Sequence, residues 1–268
     1  MKNVLSIAGS DPSGGAGIQA DLKTMCALGV YGMTVITAVT VQNTQAVYDV
    51  QEIRPDIVRD QIRAVFDDIR VDAVKVGMVS GIKIIDVIRN ELLRLGAVNI
   101  VIDPVMVSKS GYALLQKEAE AAVRELTATA DIVTPNIPEA EILSGIPVKT
   151  EDDMKKAAES IARNGAKNVL IKGGHRFEND ATDLLWMEKS NLFLSTQRIE
   201  TKNTHGTGCT LSSAIASFLA LGKNMEEAVR AAKEYITKAI SNSYNVGKGV
   251  GPVGHLADLY KRAGLSLG

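Results

Sequence analysis

Cysteine is nearly absent: two residues in 268, Cys26 and Cys209, far apart in the chain. That excludes a disulfide framework and points to a reducing, cytoplasmic setting. Aromatic residues make up only 4% of the chain, and 30 lysines and arginines balance 31 aspartates and glutamates. With no basic block and no interleaving of basic and aromatic residues, the footprint of a nucleic-acid binder is missing. No apolar run approaches the roughly 18 residues of a membrane-crossing helix. The apolar stretch after Met1-Lys2-Asn3 stops at Gly9, too short for a signal sequence. No fixed-period repeat, low-complexity linker or charge-run boundary divides the chain. The expectation is a single domain over residues 1–268, of ordinary globular composition at 46% hydrophobic.

What is present is alternation. Short apolar runs at residues 4–8, 33–41, 71–78, 98–102, 130–134 and 167–171 read as buried strands. Between them, residues 18–25, 55–66, 82–95, 117–126 and 150–164 carry helical spacing. Pro55 suits a first turn, Thr150 with Asp153 suits a capping box, and Gly96 and Gly165 suit helix stops. Residues 184–187 and 192–194 read as an antiparallel pair, and a last helix spans about 226–244. Strand and helix in alternation predict an α/β fold with a mainly parallel sheet.

Three polar loops sit at the ends of these elements. The first, Gly9-Ser10-Asp11-Pro12-Ser13-Gly14-Gly15-Ala16-Gly17, lies between a strand and a helix. It has no following lysine, so it is not a Walker A loop. Gly15-Ala16-Gly17-Ile18-Gln19-Ala20 fits G-x-G-x-x-A, but the second strand ends in Gln42-Asn43 rather than the acid a dinucleotide site needs. Gln42 instead offers a planar amide that can pair twice with an aminopyrimidine edge, or it is a solvated loop residue. The second loop, Asn203-Thr204-His205-Gly206-Thr207-Gly208-Cys209-Thr210, runs into the small apolar residues of a helix. Free N–H groups at a helix start, with glycines that admit close approach, make an anion hole. Cys209 lies at its mouth as a reactive thiol or as a buried filler. The third, residues 246–252, holds a central Lys248.

Other candidates fall at strand ends, where ligands bind in open parallel sheets. Asp103 is a metal ligand or a turn residue. Asn136 and Glu139 address magnesium and phosphate, or cap a helix. Lys172, before Gly173-Gly174-His175, reaches a phosphate as a point charge or is an idle surface lysine.

Taken together, Gly9 through Asp21, Asp103-Pro104-Val105-Met106, Thr134-Pro135-Asn136-Ile137-Pro138-Glu139, Lys172-Gly173-Gly174-His175 and His205-Gly206-Thr207-Gly208-Cys209-Thr210 resemble the hydroxymethylpyrimidine and phosphomethylpyrimidine kinases of thiamin biosynthesis, in the ribokinase superfamily. The resemblance runs from Val4 to about Pro252. It implies a ribokinase-like αβα sandwich and ATP-dependent phosphorylation of 4-amino-5-hydroxymethyl-2-methylpyrimidine, then of its monophosphate, with Mg2+ and in a homodimer. On the matching positions it implies pyrimidine binding at Gln42, with Asn43 beside it, in a pocket bordered by Gly9, Asp11 and Met78. Asn136 and Glu139 would organise magnesium and phosphates. Lys172 would contact phosphate, and Lys233 would lie near the transferred group. Gly206, Thr207 and Gly208 would form the anion hole. Cys209 would be the catalytic base, where the wider superfamily has aspartate, with its pKa lowered by the helix N-terminus. Loops 9–17 and 108–112 would act as lids. Three alternatives remain open: a pyridoxine or pyridoxal kinase of the same fold, a non-catalytic pyrimidine-binding module, and Cys209 with His205 as nucleophile and base.

Overall fold

A computed structural model describes residues 1–107, 111–112, 114–174 and 180–265. Part of the expected lid at 108–112, and His175 of the lysine motif, lie outside the described residues.

The strands are β1 (Asn3–Ser10), β2 (Tyr31–Gln42), β3 (Val47–Glu52), β4 (Ala73–Val76), β5 (Ile100–Ile102), β6 (Ile132–Val133), β7 (Asn168–Ile171), β8 (Asp180–Met187) and β9 (Ser190–Gln197). They form a nine-stranded sheet in the order β3-β2-β1-β4-β5-β6-β7-β8-β9. Pairing is parallel from β2 through β7 and antiparallel for β3, β8 and β9. The chain leaves β1 toward β2 on one side and later returns to place β4 on the other. The carboxyl ends of β1 and β4 therefore flank a switch point, where a crevice opens.

Helices cover both faces. On one lie α1 (Gly17–Ala27), α7 (Thr207–Ala220) and α8 (Met225–Ser241); on the other lie α2 (Pro55–Asp68), α3 (Ile82–Arg94), α4 (Glu120–Thr127), α5 (Ile137–Ser144) and α6 (Glu151–Arg163). A short α9 (Ala257–Arg262) ends the fold. The strand side chains alternate between two cores. Leu5, Ile7, Val74, Val76, Ile100 and Ile102 pack with α2 through α6, while Val4, Ala73, Val101 and Leu170 pack with α1, α7 and α8. Burial on both faces is why these strands read as continuous apolar runs.

Local signals place the helices. Pro55 opens α2, Thr150 and Asp153 close a capping box on α6, and Asn224 with Glu227 does the same on α8. The structure also differs from expectation. β3 is an added strand whose residues are mostly exposed, so it carries no core-facing alternation. The β8–β9 hairpin is longer than expected and turns at Glu188-Lys189, because Met187 pairs with Ser190. α8 ends at Ser241, short of Tyr244. Among the described residues no helix is long and apolar enough to cross a membrane.

Candidate active site

The carboxyl ends of the central strands line a cavity of about 870 Å³. It brings together Gly9, Asp11, Gln42, Met78, Asp103, Asn136, Glu139, Lys172, Gly206, Thr207, Gly208, Cys209 and Lys233. Asn43 is not among them; its carboxamide oxygen accepts the N–H groups of Gln45 and Ala46 and closes a tight turn.

The first two glycine loops interlock. Gly206, the N-cap of α7, has φ +77°, and a Cβ there would lie 1.8 Å from the Gly15 carbonyl oxygen. Gly17, with φ +55°, turns its α-carbon onto the Gly9 carbonyl, which a Cβ would meet at 2.3 Å. Only glycine permits either approach. The Asp11 carboxylate ties the first loop together, accepting from Ser13 N and Oγ, Gly15 N and Ala16 N. The expected lid at 9–17 is thus a braced loop.

At the acceptor end, His205 Nε2 lies 2.8 Å from Asp11 Oδ2 and 3.3 Å from Gln42 Nε2. Burial works against the Asp11 carboxylate, but hydrogen bonds from His205 and Ser13 outweigh it and bring its pKa down to about 2. Thr40 Oγ1 completes the Gln42 surroundings at 3.2 Å. His205 Nε2 donates to the Asp11 carboxylate with the Gln42 amide beside it, and is thus taken up by that carboxylate.

At the opposite end, Lys172 Nζ donates to Asp103 Oδ1 at 2.7 Å, and Thr134 Oγ1 donates to the same oxygen at 3.2 Å. β6 and β7 carry this geometry past their ends: Asn136 bridges Lys172 in parallel, and Lys172 N–H donates to the Pro135 carbonyl. Burial opposes the Lys172 cation, yet Asp103 and Glu139 hold it above its ordinary range. Asn136 and Glu139 form a reciprocal capping box on α5, at 2.8 and 2.9 Å. Burial pushes the Glu139 carboxyl up to about 7; Lys172 opposes this and the Asp103 charge adds to it. The Gly208 α-carbon faces this group, since a Cβ there would lie 3.1 Å from Asp103 Oδ2 and 3.5 Å from Lys172 Nζ. The start of α7 thus opens onto a fixed cation. Among the described residues no set of three or more His, Cys, Asp or Glu side chains is placed to hold a metal ion.

Lys233 on α8 donates to Asp183 Oδ2 at 2.6 Å, and Asp183 Oδ1 accepts from Gly173 N at 3.0 Å. Asp183 escaped the sequence reading; its one signal was an acid inside an apolar strand. Cys209 stands in the third position of α7, and the Gly17 N–H is among the groups that favour its thiolate. Its thiol is not lowered as expected. Burial pushes it up to about 11, Lys75 opposes this, and Asp21 and Asp103 reinforce it. A helix terminus acts within one turn, and here desolvation of a thiolate is the larger effect.

One residue further on, Thr210 Oγ1 lies 3.0 Å from Nε2 of the buried His255. Burial, then the charges of Lys23 and His205, bring His255 down to about 4. The unfolded chain takes up this proton near pH 6.5 and the folded chain only near 4, so stability falls as pH drops through that window. In urea unfolding, His255→Gln is expected to cancel about 2 kcal/mol of the loss between pH 7.5 and 5. Glu139, raised when folded, contributes in the opposite direction, so the informative quantity is the difference between variant and parent.

A sheet with helices on both faces, carrying a glycine-rich helix start, a lysine and paired carboxylates along its strand ends, has the plan of a ribokinase-like kinase. The profile of the phosphomethylpyrimidine kinase family matches residues 11–254. A hydroxymethylpyrimidine/phosphomethylpyrimidine kinase of Rhizobium meliloti is 51% identical, over 96% of this chain and 98% of its own. A bifunctional thiamine biosynthesis protein of Geobacter sulfurreducens is 48% identical over 95% of this chain, which spans about half (52%) of that longer protein. A Bacillus subtilis pyridoxal kinase, solved as an ADP complex, superposes with a TM-score of 0.89 at 42% identity, covering 97% of this chain and 98% of its own. The chain belongs to the phosphomethylpyrimidine kinase family.

Proposed function

We propose that this chain uses ATP to phosphorylate 4-amino-5-hydroxymethyl-2-methylpyrimidine and then its monophosphate, yielding the diphosphate for thiamin biosynthesis. The observation that carries the reading is one continuous cavity with an amide recognition end at Gln42 and a cationic, anion-hole end at Lys172 and Gly208. Family membership supports it. We place the protein in the cytoplasm, as a single domain that forms a homodimer.

In this scheme Gln42 pairs with the amino edge of the ring, and Gly9, Asp11 and Met78 border it. The N–H groups of Gly206, Thr207 and Gly208, with Lys172 and Lys233, take up charge on the transferred phosphoryl. Cys209 accepts the hydroxyl proton in the first step. In the second step the acceptor is an ionised phosphate and needs no base.

Mg2+ suits the carboxylates present. Asp103 and Glu139 are hard oxygen donors, and a Glu139 carboxyl held near pKa 7 by burial gains from a nearby cation. They would hold the ion with Asn136 alongside. Its contribution when bound is neutralisation of phosphate charge. Lys172, already against Asp103, would keep that carboxylate oriented.

The test is mass spectrometry of products from protein, ATP and Mg2+, with hydroxymethylpyrimidine and pyridoxal offered separately and in competition. Pyrimidine monophosphate followed by diphosphate supports the proposal. Pyridoxal phosphate alone transfers the chain to the second reading, which its likeness to a pyridoxal kinase favours. Ligand binding without product leaves a binding module. Gln42→Leu is expected to lower kcat/KM for the aminopyrimidine by roughly 5- to 150-fold, the effect of about 1–3 kcal/mol for an unpaired buried amino group. Steady-state kinetics with both substrates checks it, pyridoxal being the less affected.

A further inference from the structure

Below Cys209 lies a buried charge pair that the scheme above leaves idle. Lys75 Nζ donates to Asp21 Oδ1 and Oδ2 at 2.9 and 2.8 Å. The hydroxyls of Ser6 and Ser213 donate to the same carboxylate at 2.5 and 2.6 Å. All four residues are fully buried. They come from β4, α1, β1 and α7, and they meet between the sheet and the helices that carry Gly17 and Cys209. Lys75 turns to this side because its neighbours Val74 and Val76 fill the opposite core.

The pair's position follows from two matched contacts. Gly17 and Asp21 are one turn apart on α1; Cys209 and Ser213 are one turn apart on α7. The Ser213 hydroxyl donates to Asp21 across the two helices, and the Gly17 N–H acts on the Cys209 thiol. The ion pair therefore sits one helical turn, about 5.4 Å along the axis, beneath the thiol. Stability does not explain it, since well-packed apolar residues often replace a buried ion pair at no cost. The charged groups that act on the thiol are Lys75 and Lys172 on the cationic side and Asp21 and Asp103 on the anionic side.

We propose that Lys75, clamped by Asp21, is a positioning residue that favours the thiolate of Cys209 through a fixed, buried positive charge one turn below it, partly offset by Asp21. The inference rests on Cys209 being the proton acceptor of the first step but acts on the thiol itself. No proton passes to Lys75. The hydroxyl proton goes to the Cys209 sulfur, and Lys75 stays an ammonium: burial opposes its charge, and Asp21 outweighs that opposition.

The test measures alkylation of Cys209 by iodoacetamide at pH 8, without ATP or substrate, in a Cys26→Ser background. The rate follows the thiolate fraction, so raising the thiol pKa by about one slows it tenfold. Lys75→Met/Asp21→Asn is expected to slow alkylation about tenfold, and Lys75→Met alone more, because Asp21 then stays uncompensated. Lys75→Gln/Asp21→Asn serves where the methionine pair does not fold by circular dichroism. Ser213→Ala, which keeps both charges, is expected to stay within about threefold of the parent, its thiol pKa moving by less than about half. Rates unchanged in the folded double variant overturn the proposal, as does an equal loss in Ser213→Ala. Equal kinetic losses of both phosphorylations in a Cys209 variant would overturn the base role and leave this result standing.

Discussion

Cys209→Ala is expected to slow the first phosphorylation by roughly 10²- to 10⁴-fold, the usual contribution of a positioned proton acceptor, and the second by less than about tenfold. The asymmetry follows from the acceptors. A hydroxymethyl group must lose a proton as its oxygen attacks, whereas a phosphate arrives ionised. The pH dependence carries the same signature. Burial holds the thiol near 11, so the thiolate fraction rises about tenfold per pH unit below that value. The first-step rate should climb with pH wherever chemistry limits it, and the second should not follow. Separate single-turnover assays with the alcohol and with its monophosphate measure both quantities. Equal losses in the two steps, or a flat first-step profile, would remove the base role from Cys209.

Gly206→Ala is expected to cripple both steps together, by about 10²- to 10³-fold in kcat, as loss of an oxyanion donor does. A Cβ at this φ of +77° meets the Gly15 carbonyl at 1.8 Å, and that oxygen belongs to backbone that cannot rotate away. Relief requires the start of α7 to shift, which moves the N–H groups of Thr207 and Gly208 off the phosphoryl. The variant should also lose acceptor affinity, because His205 beside it leaves Asp11 and Gln42. The decisive comparison is with Gly222→Ala, another positive-φ glycine with open space around its α-carbon. Gly222→Ala costs stability alone, so matched kinetics in the two variants would mean the interlock has no part in catalysis.

The central strands were legible because they are buried on both faces and read as apolar runs. β3 was not, since an exposed antiparallel strand needs no apolar face. The site residues were legible by position: Asp103, Asn136 and Lys172 each follow a strand and arrive at one rim. The state of the Cys209 thiol was not. A helix start can be read from Gly206 and Thr207, but the depth at which Cys209 sits depends on what α1 and β4 place around it. Lys75 passed unnoticed in a run read as an apolar strand, although a charge between Val74 and Val76 was its signal. Its partner Asp21 is a contact between distant segments that no local pattern announces. Likewise the bond from His205, singled out for its closeness to Cys209 in sequence, to Asp11 joins segments that no local pattern connects.

The joining of Asp11 to His205 spans 194 positions of the chain. The loop that holds Asp11 is made well before the loop that holds His205. Neither has its final shape until the Gly15 carbonyl rests against Gly206. Contacts this distant in sequence form late, after the intervening loop entropy has been overcome. A chain in which Gly15 and Gly206 have not yet met therefore lacks both loops in their native form, and one closing contact completes the two together.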